Sequence, residues 1–178
     1  MESFSQLNSA ERIIAVHAAY GKAMIAAHSL ELRIAAILFA RAEEDVNIGK
    51  SVDSGAIDRL TLGQLINRFL LEFSPPEELA KELDDMLYFR NELAHRISKT
   101  ILSAAQRKHW EEKVVSELYE ISSYFAEASH SLQPFIDAFL SKHGLTLEPL
   151  LDRLLVNYPG IRQGANNSFK PKPLRGST

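Results

Sequence analysis

Residues 79–97, LAKELDDMLYFRNELAHRI, decide the fold because their apolar side chains recur at the three- and four-residue spacing of a buried helix face. At about 100° per residue, one face carries Leu79, Leu83, Met86, Leu87, Leu93, Ala94 and Ile97. Arg90 falls near the middle of that face. An unpaired buried charge is costly, so the pattern predicts either an ionic partner for Arg90 or a face that opens onto a site.

A partner of opposite charge lies on the first long periodic segment. Its apolar stripe is Ile13, Val16, His17, Tyr20, Met24, Ala27, Ile34, Ala35 and Leu38. Glu31 falls at the centre of that stripe on the same count. We therefore predict that Glu31 and Arg90 form an ion pair between two packed helices. A buried pair that only fixes helix register is the structural interpretation of the same pattern.

The first half of the chain carries clear helix-start signals. Asn8 with Glu11 has the spacing of a capping box, and the helix that it opens is expected to run to about residue 42. Thr61 with Gln64 opens a second helix. Ser74, followed by two prolines and a glutamate, is expected to cap the third helix, which carries the 79–97 pattern.

The second half continues the helical pattern. A fourth helix is expected from near Ser103, with a kink or break at Pro134 and a stop at Gly144, and a short fifth helix over residues 146–157. The whole pattern predicts an all-α antiparallel bundle of four main helices plus a short C-terminal helix. Residues 1–157 are read as a single domain and residues 158–178 as a flexible, mildly basic tail.

The composition excludes several classes of protein. The 178 residues include no cysteine, which rules out disulfides, thiolate catalysis and cysteine-ligated metals. The net charge of −3 argues against a broad nucleic-acid surface but leaves room for a local one. The N-terminal residues do not resemble a secretory signal, and no uncharged stretch reaches the roughly 18 apolar residues of a membrane span. We expect a cytoplasmic protein with no membrane partner.

The hexapeptide RNELAH, residues 90–95, resembles the signature of the HEPN superfamily: an arginine, a polar residue that is often asparagine, three variable residues and a histidine. The resemblance extends over roughly residues 11–140 as a small helical bundle with the motif on a late helix. Many HEPN proteins are metal-independent endoribonucleases that act as dimers, often as toxins or in phage defence. Others lack activity and serve as binding or antitoxin-like modules, and the motif is compatible with both.

The resemblance implies a role for each motif residue. His95 would be the general acid or base, Arg90 would stabilise charge on the phosphoryl group, and Asn91 would orient His95 or the phosphate. A basic cluster that follows the motif is assigned to RNA binding: Arg96, Lys99, Arg107 and Lys108. No metal or other cofactor is implied, and the expected partners are RNA, a second copy of the chain and a cognate antitoxin or operon partner. The tyrosine that some family toxins carry two positions after the histidine is Ile97 here.

Helical geometry favours a site shared between two chains. Asn91 and His95 are four residues apart and share a face of an α-helix. Arg90 and His95 are five apart and diverge by roughly 140°. Two such helices facing each other across a dimer would bring both pairs together.

Two further patterns of histidines and carboxylates suggest other interpretations. The pairs Glu92-x-x-His95 and Glu127-x-x-His130, together with Glu31, resemble the ligands of a carboxylate-bridged di-metal site, but Glu92 falls opposite its apolar face. His17 and His28 share a face of the first helix and are interpreted as core or interface histidines.

Overall fold

The computed structural model describes residues 4–47, 57, 60–97 and 110–157, which contain helices and no strand. The helices are α1 (Ser9–Asn47), α2 (Leu62–Phe73), α3 (Glu77–Asn91), α4 (Trp110–Lys142) and α5 (Leu147–Asn157). A short 3₁₀ turn, Phe4–Gln6, precedes α1, and a π-helical turn, Glu92–Ile97, continues α3. The predicted all-α bundle of four main helices and a short C-terminal helix is confirmed.

Two helices begin at the caps that the sequence predicts. The Asn8 side-chain oxygen accepts hydrogen bonds from the backbone N–H groups of Ala10 (2.9 Å) and Glu11 (3.1 Å). The Glu11 carboxylate accepts one in return from the Asn8 N–H at 2.7 Å. Thr61 and Gln64 form the same reciprocal arrangement at the start of α2. These boxes satisfy N–H groups that have no partner inside the helix, which fixes where each helix starts.

The expected start of α3 at Ser74 is wrong. Ser74 is the C-cap of α2, in the left-handed region with φ 44°, and its N–H donates to the Leu70 carbonyl. The N-cap of α3 is Pro76. A residue that precedes a proline is disfavoured in helical geometry, so Pro75 cannot begin the helix and α3 starts after the second proline.

The C-terminal half corrects one expectation and confirms another. Helix α4 runs unbroken through Pro134, so of the expected kink or break the break does not occur. Leu132 and Ile136 are fully buried on either side of Pro134, and this packing holds the helix together. Gly144, with φ 66°, follows the end of α4 as predicted, and the N–H of Leu145 donates to the Leu140 carbonyl. Ser103 and the tail lie outside the described residues.

Helix directions follow from the contacts between α1 and its neighbours. The contacts with α4 advance together along both helices, from Lys22 over the Tyr119 ring to Arg33 with Gln133. Helices α1 and α4 therefore run in the same direction, and the predicted antiparallel arrangement does not hold for this pair. Helix α3 runs antiparallel to α1, as its contacts show: Tyr20 with Leu93 and Glu31 with Arg90. The motif therefore lies beside the middle of α1.

The buried face of α1 is rotated from the predicted one. The fully buried line is Val16, Ala19, Ala23, Ala27, Leu30 and Ile34, whose mean direction is turned by roughly 65° about the helix axis from that of the expected stripe. The two sets share Val16, Ala27 and Ile34. Ile13 and His17, both expected to be buried, are exposed. Small alanines allow close approach of neighbouring helices, and this packing takes priority over the larger residues. Glu31 consequently lies at the edge of the buried face.

The first helix also has the composition of a membrane span. Over Ser9–Ala42 it is long and apolar enough to cross a bilayer, and half of its most apolar window is buried inside the bundle. The core helix of a soluble bundle has the same length and composition.

Candidate functional site

The predicted ion pair between α1 and α3 is present. Arg90 Nε lies 3.4 Å from Glu31 Oε1. The pair is not buried, because the Arg90 side chain is 31% exposed and that of Glu31 is 22% exposed. Arg90 continues the buried line of α3, but Glu31 approaches it from the edge of the α1 face. The arginine is therefore both held by a carboxylate and open to solvent.

A histidine joins this pair. His28 Nδ1 lies 3.2 Å from Glu31 Oε2, so one carboxylate bridges an imidazole and a guanidinium. The His28 side chain is 46% exposed, which contradicts its interpretation as a core residue. Its separation of three residues from Glu31 on a helix is the signal that could have identified it.

These three charged or titratable side chains line a cleft of about 340 Å³ between α1 and α3. The rest of its wall is mainly apolar and includes Met24, Ala27 and Ile25, which is 70% exposed. A guanidinium offers a planar fork of donors to phosphate or carboxylate oxygens, and an imidazole can accept or donate a proton near neutral pH. The cleft can therefore bind an anion beside a group capable of proton transfer.

A π-helical turn begins two residues after the motif arginine. Helix α3 ends at Asn91, and residues 92–97 form the π turn that contains His95. Leu93 is fully buried and anchors this turn, and the Tyr20 hydroxyl donates to the Leu93 carbonyl at 3.4 Å. A π turn contains more residues than an α turn, so a five-residue separation lies closer to one full turn. The divergence of Arg90 and His95 calculated for a regular α-helix is thereby reduced.

The other predicted site residues are less constrained. Asn91 and His95 are exposed on either side of the junction between α3 and the π turn, and neither side chain hydrogen-bonds to the described part of the chain. The basic cluster assigned to RNA binding falls outside what the structure describes: the side chain of Arg96, and Lys99, Arg107 and Lys108 entirely.

The residues of the di-metal alternative do not converge. Glu127 lines a cleft between α3 and α4, whereas His130 lines another between α1 and α4. In the residues that the structure describes, no group of three or more histidines and carboxylates is arranged to hold a metal ion. Glu31 instead pairs with Arg90 and His28.

The site thus combines an accessible arginine, a carboxylate that holds it, an adjacent imidazole and an exposed histidine on the next helical turn. Its donors suit an anionic ligand, and its histidines suit proton transfer. Comparison with known proteins finds no matching family model, no matching curated protein and no matching solved structure.

Proposed function

We propose that this chain is a metal-independent endoribonuclease of the HEPN type, belonging to a toxin or phage-defence system. The observation that carries the proposal is Arg90: its guanidinium is held by Glu31 yet stays open to a cleft, one helical turn from His95. A purely structural arginine needs no such access. A phosphate-binding arginine requires both a fixed position and an exposed face.

The reaction is an attack by the 2′-hydroxyl of a ribose on the adjacent phosphorus. A new bond forms between the 2′-oxygen and phosphorus, and the bond from phosphorus to the 5′-oxygen breaks. His95 removes the 2′-hydroxyl proton or protonates the leaving 5′-oxygen. Arg90 stabilises the charge that develops on the non-bridging oxygens, and Asn91 orients His95 or the phosphate. The products are a 2′,3′-cyclic phosphate and a free 5′-hydroxyl.

A homodimer completes the catalytic set. The reaction uses both an acid and a base, and each chain supplies one motif histidine. The Arg90 cleft has an apolar rim on α1, formed by Met24 and by Ile25, which is 70% exposed. Apolar groups beside a polar site are the kind of surface that a second copy covers. The substrate is single-stranded or looped RNA, whose backbone can bend for in-line attack.

A noncatalytic helical module, antitoxin-like or regulatory, is the second candidate. The observation that favours it is the same Glu31–Arg90 pair, since an arginine that already has a carboxylate partner can serve structure alone. In that case His95 is an ordinary exposed residue, and the exposed apolar rim binds an operon partner.

RNA cleavage in excess chelator, measured for the wild type beside His95→Ala, tests the proposal. Cleavage that disappears in a variant with unchanged circular dichroism supports the ribonuclease. No cleavage of several RNA classes by folded wild-type protein favours the noncatalytic module. Equal cleavage by both proteins would show that activity does not come from this site.

A further inference from the structure

A second cleft lies between α1 and α4, on another side of α1 from the Arg90 pair. Its volume is about 420 Å³, and its polar lining consists of Arg33, His130, Gln133, Ser29 and Ser129. Thus a guanidinium, an imidazole, an amide and two hydroxyls face one space, and none of its lining residues is a carboxylate. These groups can all donate hydrogen bonds to an oxyanion.

Arg33 carries a charge that its neighbours do not neutralise. Its Nη1 donates to the amide oxygen of Gln133, which is uncharged. The Gln133 amide nitrogen donates in turn to Asp137 Oδ1 at 2.7 Å, so this carboxylate is engaged by the glutamine. Within the described residues Arg33 makes no ion pair. Gln133 orients the guanidinium and leaves its positive charge available.

Two other arginines of the bundle differ from Arg33 in the charge of their side-chain partners. Arg68 Nε lies 2.6 Å from the Glu72 carboxylate, and Arg90 pairs with Glu31. Both of these arginines have a carboxylate partner, whereas the side-chain partner of Arg33 is neutral. A half-buried arginine with a neutral partner retains its attraction for an external anion.

The opposite side of α4 has the reverse charge. The cleft between α3 and α4 is lined by Glu82, Asp85 and Glu127 and by no basic residue. An anion approaching α4 is therefore repelled from that cleft and attracted to the one that contains Arg33.

From this arrangement we infer that the cleft between α1 and α4 binds a phosphate group through Arg33, with His130 and Ser129 as further donors. The site is separate from the proposed ribonuclease chemistry and does not require it. The ligand is either a free phosphate or nucleotide, or a phosphate of a polynucleotide backbone. Ser29 lines both this cleft and the Arg90 cleft, so the two adjoin, and one polynucleotide would reach both arginines.

The test uses full-length protein and two probes, inorganic phosphate and a short 2′-O-methyl oligonucleotide that cannot be cleaved. Calorimetry gives the affinity for phosphate, and fluorescence anisotropy gives the affinity for the oligonucleotide. Arg33→Gln is expected to weaken binding by about tenfold or more, because it removes charge-assisted hydrogen bonds. Arg68→Gln, which removes a paired arginine of α2, is expected to change it less than about twofold.

A third variant separates the effect of the charge from that of the guanidinium geometry. Arg33→Lys keeps the charge but loses the planar fork, so its affinity should fall between those of the wild type and Arg33→Gln. Weakened binding of phosphate alone supports the site with a small phosphate ligand. Weakened binding of the oligonucleotide, with or without phosphate, supports a backbone phosphate.

The inference is overturned if wild-type protein binds neither probe, or if Arg33→Gln binds both as the wild type does. If the wild-type protein cuts no RNA but Arg33→Gln binds phosphate more weakly than the wild type does, the phosphate site is supported and the ribonuclease proposal is not. The two proposals therefore fail separately.

Discussion

The hydroxyl of Tyr20 donates a hydrogen bond of 3.4 Å to the carbonyl oxygen of Leu93, joining α1 to the π turn two residues before His95. Backbone groups in a π turn depart from regular α-helical bonding, and side chains that reach into such turns stabilise them. Tyr20 thus ties the position of the motif histidine to the same helix that supplies Glu31. The geometry of the site depends on α1 as much as on the motif itself.

Removing that hydroxyl should loosen the turn. Tyr20→Phe is expected to cost about 0.5–1.5 kcal/mol in the free energy of unfolding and to speed amide hydrogen exchange in residues 92–97. RNA cleavage should fall with it, because His95 is less well positioned. Tyr119→Phe is the matched control, since the Tyr119 side chain is 47% exposed on α4. Unchanged exchange in the π turn of Tyr20→Phe would show that this hydrogen bond does not hold the turn.

The Glu31–Arg90 pair should matter more for function than for stability. Both side chains are partly exposed, so Glu31→Gln is expected to cost less than about 1 kcal/mol, a shift in Tm of about 2–4 °C or less. RNA cleavage should fall about tenfold or more because Arg90 loses its fixed position. Glu72→Gln removes a comparable partner of Arg68 in α2 and should leave cleavage unchanged. Equal cleavage by the two variants would contradict a role for the pair in the site.

Leu93 should be the structural anchor of the motif. It is fully buried inside the π turn, so Leu93→Ala is expected to lower the free energy of unfolding by about 2–5 kcal/mol, measured by urea denaturation. Leu71→Ala, at a side chain that is 83% exposed, should change it by no more than about 0.5 kcal/mol. A cost for Leu93→Ala as small as that for Leu71→Ala would mean that the turn is not anchored by this contact.

The proposed homodimer should depend on the apolar rim of the Arg90 cleft. Ile25→Asp places a charge in that rim and is expected to convert a dimer to a monomer in sedimentation velocity, with loss of cleavage. Leu71→Asp introduces the same charge at an exposed position of α2 and should leave the dimer intact. If wild-type protein sediments as a monomer at assay concentrations while cleaving RNA, the shared site is wrong.

Local sequence preferences predicted the starts of α1 and α2, and the same kind of preference explains why the predicted start of α3 was wrong. The capping boxes at Asn8 and Thr61 depend only on residues within one turn, so the sequence alone identifies them. At Ser74 two local preferences compete: a serine can cap a helix, but Pro75 is restrained by the proline after it. The second preference determines the structure, and Ser74 ends α2 instead.

The candidate site was predicted in part. The pairing of Glu31 with Arg90 follows from two periodicities and opposite charges. The exposure of that pair could not be predicted in this way. The alanines of α1 determine which face of the helix is buried, and a prediction from the spacing of large apolar residues gives alanine little weight. The π turn depends on long-range contacts of Tyr20 and Leu93, which no local pattern contains. His28 was interpreted as a core or interface residue from the helix face that it shares with His17, whereas the structure pairs it with Glu31.

The central claim is that Arg90 and His95 cleave RNA through its own 2′-hydroxyl. The most direct measurement incubates wild-type protein in excess chelator with an end-labelled RNA, and with the same RNA carrying 2′-O-methyl groups, and then determines the product ends. The account predicts 2′,3′-cyclic phosphate and 5′-hydroxyl ends from the unmodified RNA, no cleavage of the methylated RNA, and no cleavage by His95→Ala. Cleavage of the methylated RNA, or products with 5′-phosphate ends, would contradict it.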